Sequence, residues 1–467
     1  MSSAPKPLLA LAWPMIASFT TRFAFSLVDL VYARALLDEE PGAVAALGLY
    51  MPFATLYIAM WVGLSAGLTA SLANAFGRRD AERIEASKVA VKRFLWVLAP
   101  ITAILGGSLW FVIPAVGPSL GLEPELIDAF RVYGTVMLVG MPILGFPSVL
   151  PDSIVKAHHD TKTTMYAGFA ASLTNIALNT IFVFVFSWGL FGIAFATVLS
   201  RLSAYGYSAY RARILEAARQ DSPDWKEVRD TGYAPTRPPL PDILRLAVPA
   251  ALTYVLMFVE LILINRNLLS AEDSTKAIEA YGIFHQVMNL ALMPTIATAV
   301  ALVPFLGRAA AEGRLRTIRK DIIQGVSLST GIALLITVPA GLIFPAEIAS
   351  FFAKSSSDEG LLDSPLLLDA LAWLPVTVLA SLPYLLFRPV FEALQRPSIG
   401  VRLTLIRFLA LSWPLVFLSG FAADQLDISR IQAVIGALTI ACVATSLLTA
   451  TGSIAMLKER AGSESPA

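Results

Sequence analysis

A single cysteine, Cys442, in a chain of 467 residues excludes an intrachain disulfide framework and an intrachain cysteine metal site. It lies in the apolar stretch IGALTIACVATSLL, where helix packing is its expected role. Histidine is almost as scarce, with three residues in two places: His158 and His159 in the polar segment KAHHDTKTT, expected to be solvated, and His285 inside an apolar run. There is no HExxH, no glycine-rich phosphate loop and no clustered Asp pair at a membrane face, so the sequence gives no support to a membrane-embedded enzyme. Charge is short too, at 15% Asp, Glu, Lys and Arg, where a soluble domain carries about a quarter. The net charge of +1 gives no reason to expect nucleic acid as a partner. The N-terminal MSSAPKPLLALAWPM has one lysine, a proline at position 14 and no small-residue cleavage site, and reads as a short cytoplasmic tail rather than a secretory signal.

What the sequence has is apolar length. It is 56% hydrophobic with a mean hydropathy of +0.69, which makes it an all-α integral membrane protein. A crossing helix needs about 20 apolar residues. Twelve such spans begin near Leu8, Ala43, Val89, Ile127, Met165, Leu190, Ile243, Ala277, Ile323, Leu367, Val401 and Ile431. The first is about 30 residues, roughly 45 Å at helical rise, so it must tilt or bend, and Pro14 is its bend point. Basic and acidic loops alternate: GRRDAERIEASKVAVKR, RARILEAARQ and GRAAAEGRLRTIRK on one side, DEEPG, GLEPELID and SAEDSTK on the other. About 25 Lys and Arg fall on the first side and about 6 on the second, which puts both termini in the cytoplasm. The longest polar stretch lies mid-chain. It divides the sequence into six-helix bundles at 1–215 and 241–467 joined by a cytoplasmic linker at 216–240.

The halves repeat weakly. LALAWPM at 9–15 resembles LRLAVPA at 244–250, AALGLYMPF at 45–53 resembles EAYGIFHQV at 279–287, and ASLANAFGRRD at 70–80 aligns with VPFLGRAAAEG at 303–313. A near-constant offset implies two parallel, pseudo-symmetric repeats with a substrate path between them. Charge repeats as well, with signs exchanged: Asp152 and Lys156 in PDSIVK, Arg388 and Glu392 in RPVFEA. Two readings follow. Each pair neutralises itself across one helical turn at the cytoplasmic boundary, or the four residues form a cytoplasmic gate in which Asp152 meets Arg388 and Lys156 meets Glu392.

Asp29 is the costly residue. A charge at mid-bilayer costs about 2.5–3.5 kcal/mol on insertion scales, so Asp29 binds a proton, binds a cation or pairs with a base. Arg22 is two turns earlier on the same face, roughly 10.5 Å away along the axis. Asn175 and Asn179 in TNIALNTIFVF share a helix face, and Thr197 follows in GLFGIAFATVLS. Amide carbonyls, a hydroxyl and a carboxylate are hard oxygen donors, suited to a proton or an alkali cation rather than a transition metal. Taken singly, each asparagine could equally be interhelical glue.

Pro14 with Asp29 fifteen residues on in LVDLV, the Asn175/Asn179 pair, Thr197 and HQVMN at 285–289 together give a chain that resembles the multidrug and toxic compound extrusion (MATE) family of cation-coupled efflux transporters. The resemblance covers nearly the whole chain. It implies that Asp29, Asn175, Asn179 and Thr197 surround a sodium or proton site, that Pro14 bends the first helix, and that no cofactor or other metal is needed. It also implies a monomer in the bacterial inner membrane, with lipids and a small amphipathic or cationic substrate as partners, working by alternating access. The sequence departs from the family at Arg34, where relatives often have glycine, at Arg22, and in the second half. There Glu260 falls about one turn later than the family's glutamate and either faces the substrate path or pairs with Arg266. Arg22, Arg34, Glu260, His285 and Gln286 are candidate cavity residues. A lipid-linked oligosaccharide flippase, with Arg22, Arg34 and Arg266 attracting pyrophosphate, and an exporter of an anionic metabolite such as a siderophore are the rival readings.

Overall fold

In hydrocarbon no water is available to the backbone, so each segment must close its own hydrogen bonds, and the crossing segments do so as helices. The computed structural model describes residues 7–36, 40, 43–120, 124–223, 225, 239–271, 274–348 and 365–462. The side chains of Arg22 and Arg34, and most of the linker expected at 216–240, lie outside the described residues.

The helices are α1 (Leu8–Ala35), α2 (Ala43–Gly77), α3 (Ala81–Val116), α4 (Pro124–Gly140), α5 (Val149–Ala157), α6 (Thr161–Thr180), α7 (Gly189–Asp221), α8 (Pro239–Leu268), α9 (Ser274–Ala311), α10 (Arg319–Val338), α11 (Pro365–Ala372), α12 (Leu374–Ala393), α13 (Pro397–Leu405), α14 (Trp413–Leu426) and α15 (Arg430–Gly462). No strand occurs among the described residues. Eleven helical segments there are long and apolar enough to cross a membrane. To these α1 adds a 28-residue helix that continues through Pro14. Helix starts repeat in order, with Leu8 and Pro239 231 residues apart, Ala43 and Ser274 231, and Gly189 and Arg430 241.

Several spans change winding part-way. Wide π turns occupy Met141–Gly145, Ile181–Val185, Pro339–Ile343 and Ile406–Ser412. Such turns leave backbone carbonyls less tightly bonded and often mark functional positions.

The chain forms two compact units: Ala17–Ala251, and Leu252–Ala467 together with Met1–Ile16. The first has two apolar centres. One gathers Leu68, Leu72, Phe146 and Val155, the other Tyr50, Phe130, Tyr133 and Ile193. The second unit packs Leu268, Phe284, Leu371 and Val434, with a smaller cluster around Leu292 and Leu382.

Short turns join some helices by the same device. Arg79 (φ 57°) and His159 (φ 58°) take the left-handed conformation, and the next residue, Asp80 or Asp160, caps the following helix. Asp80 Oδ1 accepts from the Arg83 amide at 2.8 Å, and Asp160 Oδ1 accepts from the Thr163 amide at 3.3 Å. These caps satisfy amides the helix itself leaves open. The tightness of the second turn corrects the expectation that His158 and His159 are solvated. His159 is buried. His158 bonds Glu216 at 2.6 Å and lies against Phe76, because the turn tucks under the end of α7. Glu216 also accepts from Lys88 at 2.6 Å and Arg219 at 2.9 Å. Of the basic segment after α2, Lys88 is thereby neutralised.

Candidate functional site

In the first unit three helices bring four polar side chains together. Asp29 comes from α1, Asn175 and Asn179 from one face of α6, and Thr197 from α7. Asn179 Nδ2 donates to Asp29 Oδ1 at 2.8 Å. The Thr197 hydroxyl donates to Asp29 Oδ2 at 3.0 Å. Asn175 Nδ2 in turn donates to Thr197 Oγ1 at 3.0 Å, and Asn179 Nδ2 reaches Asn175 Oδ1 at 3.4 Å. Both carboxylate oxygens therefore accept, and a second layer holds the donors in place.

Asn175, Asn179 and Thr197 are buried. Asn179 Oδ1 is buried without a hydrogen-bond partner. A buried carbonyl oxygen with nothing bonded to it costs about 1–3 kcal/mol, and an ion or a carboxylic proton would satisfy it. The donor set thus fits a hard cation. Directly after Asn179 and Thr180 the helix widens into the π turn Ile181–Val185. Tyr32, one turn beyond Asp29 on α1, bonds the Thr180 hydroxyl at 2.7 Å.

Arg201, one turn after Thr197 on α7, is a residue the sequence reading missed. Its buried Nε has no hydrogen-bond partner. The signal was present, since Arg201 stands in the apolar span LFGIAFATVLSRLSAY and merits the question asked of Asp29.

The second unit has its own polar centre. Glu260 on α8 accepts from Arg407 Nη1 at 3.0 Å. Arg407 sits in the π turn Ile406–Ser412, donates to the Ser412 hydroxyl and reaches Cys442 Sγ at 3.2 Å. Cys442 also accepts from Ser381 at 3.3 Å, so it does more than pack. The sequence reading offered Arg266 as partner for Glu260. The structure supplies Arg407 instead, because six residues is a poor helical spacing whereas Arg407 approaches from another helix. A cavity of about 80 Å³ adjoins the pair, lined by Tyr281, His285, Tyr384 and Cys442 among others. Asn289 lies 3.2 Å from His285 Nδ1. Gln286 is exposed.

The sign-exchanged charges are each closed within one helix. Lys156 Nζ lies 2.5 Å from Asp152 Oδ2, with Thr164 donating to the other carboxylate oxygen at 3.2 Å. Arg388 Nη1 lies 2.6 Å from Glu392 Oε1. All four residues are buried.

The MatE family model matches residues 14–181 and 249–418, well over half the chain. The chain belongs to the MatE family. MatE proteins are transporters, not enzymes, and this one is a multi-pass membrane protein. A probable multidrug resistance protein of Bacillus subtilis (strain 168), YoeA, is 23% identical over 349 residues, 73% of this chain and 71% of that protein. The multidrug export protein MepA of Staphylococcus aureus is 25% identical over 224 residues, 47% of this chain and 46% of MepA. Among solved structures, a multidrug resistance MATE family transporter of the MOP superfamily in its outward-facing conformation shares the fold. Its TM-score is 0.79 at 22% identity, covering 98% of this chain and 96% of that one. A MATE protein in a straight conformation gives a TM-score of 0.80 at 21% identity, over 98% and 96%. The family that Pro14, Asp29 and the Asn175/Asn179 pair resemble is thus the one whose model matches most of this MatE chain.

Proposed function

We propose that this MatE protein is a cation-coupled antiporter that exports small amphipathic or cationic organic compounds. The membrane is the bacterial plasma membrane, with both termini cytoplasmic. The observation that carries the reading is the Asp29 carboxylate held by Asn179 and Thr197 beside the unpartnered Asn179 carbonyl. Such a group takes up a proton or an alkali cation in place of its hydrogen bonds. Uptake there changes what α1, α6 and α7 present to one another. Ion and cargo that stabilise opposite states of the same helices exchange by mass action. The multidrug names of YoeA and MepA support the cargo class.

The test is efflux of cationic dyes from proteoliposomes with proton and sodium gradients imposed separately, comparing wild type with Asp29→Asn. Dye efflux that depends on one gradient in wild type and is lost in the variant supports the reading and names the ion. Full gradient-driven efflux by Asp29→Asn overturns it. A second reading, export of an anionic metabolite, rests on the unpartnered guanidinium nitrogen of Arg201. It predicts anionic cargo displaced by Arg201→Gln and no dye transport.

A further inference from the structure

A cavity of about 800 Å³ lies away from the Asp29 network. It is a cleft in the first unit lined by α3, by α5 with the irregular turn before it, and by α7. We propose that this cleft binds one anionic glycerophospholipid, with its phosphate at the basic end and an acyl chain along the apolar wall.

The chemistry changes along the cleft in one direction. At one end stand Lys88, Lys92, Arg213 and Glu216. Lys88 and Glu216 neutralise each other at 2.6 Å. Lys92 and Arg213 are exposed and have no hydrogen-bond or ion-pair partner among the described residues. The mouth therefore offers two free cations, one from each wall. Eight residues further along each helix, roughly 12 Å at helical rise, the lining is Pro100 and Tyr205. Ile143 and Pro147 close the far side. Trp96, four residues from Lys92, is 74% exposed. An indole one turn beyond a basic side chain is the arrangement found at the level of lipid headgroups.

Pro147 and Pro151 contribute to the hollow. Pro147 lies in the 3-10 turn Phe146–Ser148, which follows the π turn Met141–Gly145. The irregular winding ahead of α5 brings only Ile143 and Pro147 into this space. An apolar trough with two cations at one end complements a phosphate diester with an attached chain. A phosphatidylcholine presents a balancing ammonium there and gains less from the two cations.

The test is native mass spectrometry of the full-length protein from detergent, titrated separately with phosphatidylglycerol and phosphatidylcholine of the same chains. One phosphatidylglycerol per chain is expected to be retained in preference to phosphatidylcholine. Lys92→Gln with Arg213→Gln should weaken that retention by roughly 30-fold, the sum expected for two basic groups near an anionic lipid. Ala209→Trp fills the cleft with both cations intact and should abolish the preference too. Equal retention of the two lipids by wild type, or an unchanged preference in either variant, overturns the proposal. Displacement of the bound lipid by millimolar inorganic phosphate would show an anion site rather than a lipid site, and would overturn it as well.

Discussion

Asn179 donates a hydrogen bond to Asp29 across 150 residues of sequence, at 2.8 Å, while its own carbonyl oxygen is buried without a partner. One amide thus does two things: it orients the carboxylate and keeps an oxygen free for an incoming ion. Replacing Asn179 by the similarly shaped Leu removes both. Satisfying the buried acceptor is worth about 1–3 kcal/mol to the ion-bound state, so its loss should lower coupling-ion affinity by roughly five- to a hundredfold. Thr197→Val removes a donor that the ion must displace and no free acceptor, so it should not lower ion affinity. Transport rate against ion concentration checks both, and equal ion dependence in wild type and Asn179→Leu would refute the assignment.

The Glu260–Arg407 pair predicts an asymmetry. Breaking a buried ion pair from one side strands the other charge, at about 3–5 kcal/mol. Glu260→Gln and Arg407→Met should each lower the melting temperature in detergent markedly. The double variant should recover much of the loss, because no charge is then left alone. Additive losses would show that the two residues do not act as a pair.

Helices α3 and α4 touch at Gly106. A Cβ there would stand 2.6 Å from Leu138 Cβ and 2.7 Å from the Leu138 carbonyl oxygen. Close approach through small residues is how helices associate in lipid. Gly106→Ala should therefore destabilise the first unit by about 1–3 kcal/mol, the usual cost of overpacking. Gly206→Ala, where a Cβ meets nothing within 4 Å, is the control and should leave the melting temperature close to wild type.

Asp160 carries a prediction about acid. Partial burial by itself would raise its pKa, but the Thr163 hydroxyl, Arg211 and the Thr163 amide together hold it below the ordinary aspartate value. A lowered folded-state pKa means that the stabilisation is fully present above the ordinary value and is lost as pH falls through the lowered one. Asp160→Ala should cost about 1 kcal/mol as a lost N-cap. Asp160→Asn should keep most of the cap and lose the 3.0 Å Arg211 ion pair. Melting curves between neutral and acid pH check this. The gap between wild type and Asp160→Asn should narrow as the medium becomes acid.

Much of this protein could be read along the chain, because lipid permits few backbones. Apolar runs of crossing length, punctuated by Gly, Pro and charge, fix where helices begin, and the starts expected at Leu8, Ala43 and Leu190 lie within one residue of those observed. The start expected at Val89 was eight residues late. Charged Glu82, Arg83 and Glu85 hid the first turns of α3, which the Asp80 cap opens at Ala81. The polar cluster around Asp29 was legible for the same reason. A carboxylate inside an apolar helix needs a partner, and Asn175 and Asn179 share a face by their spacing alone.

What the sequence by itself determined was local: helix positions, the repeated order, and the residues too polar to face lipid. Which polar residue meets which was decided only by the tertiary structure. Arg407 reaches Glu260 across 147 residues, and His158 meets Glu216 across 58. Helical periodicity states which residues share a face. It does not state which other helix that face meets, because that choice depends on how side chains of many helices fill one volume. The cleft beneath Lys92 and Arg213 has the same origin. Three helices enclose it, and no one of them records it in its own sequence.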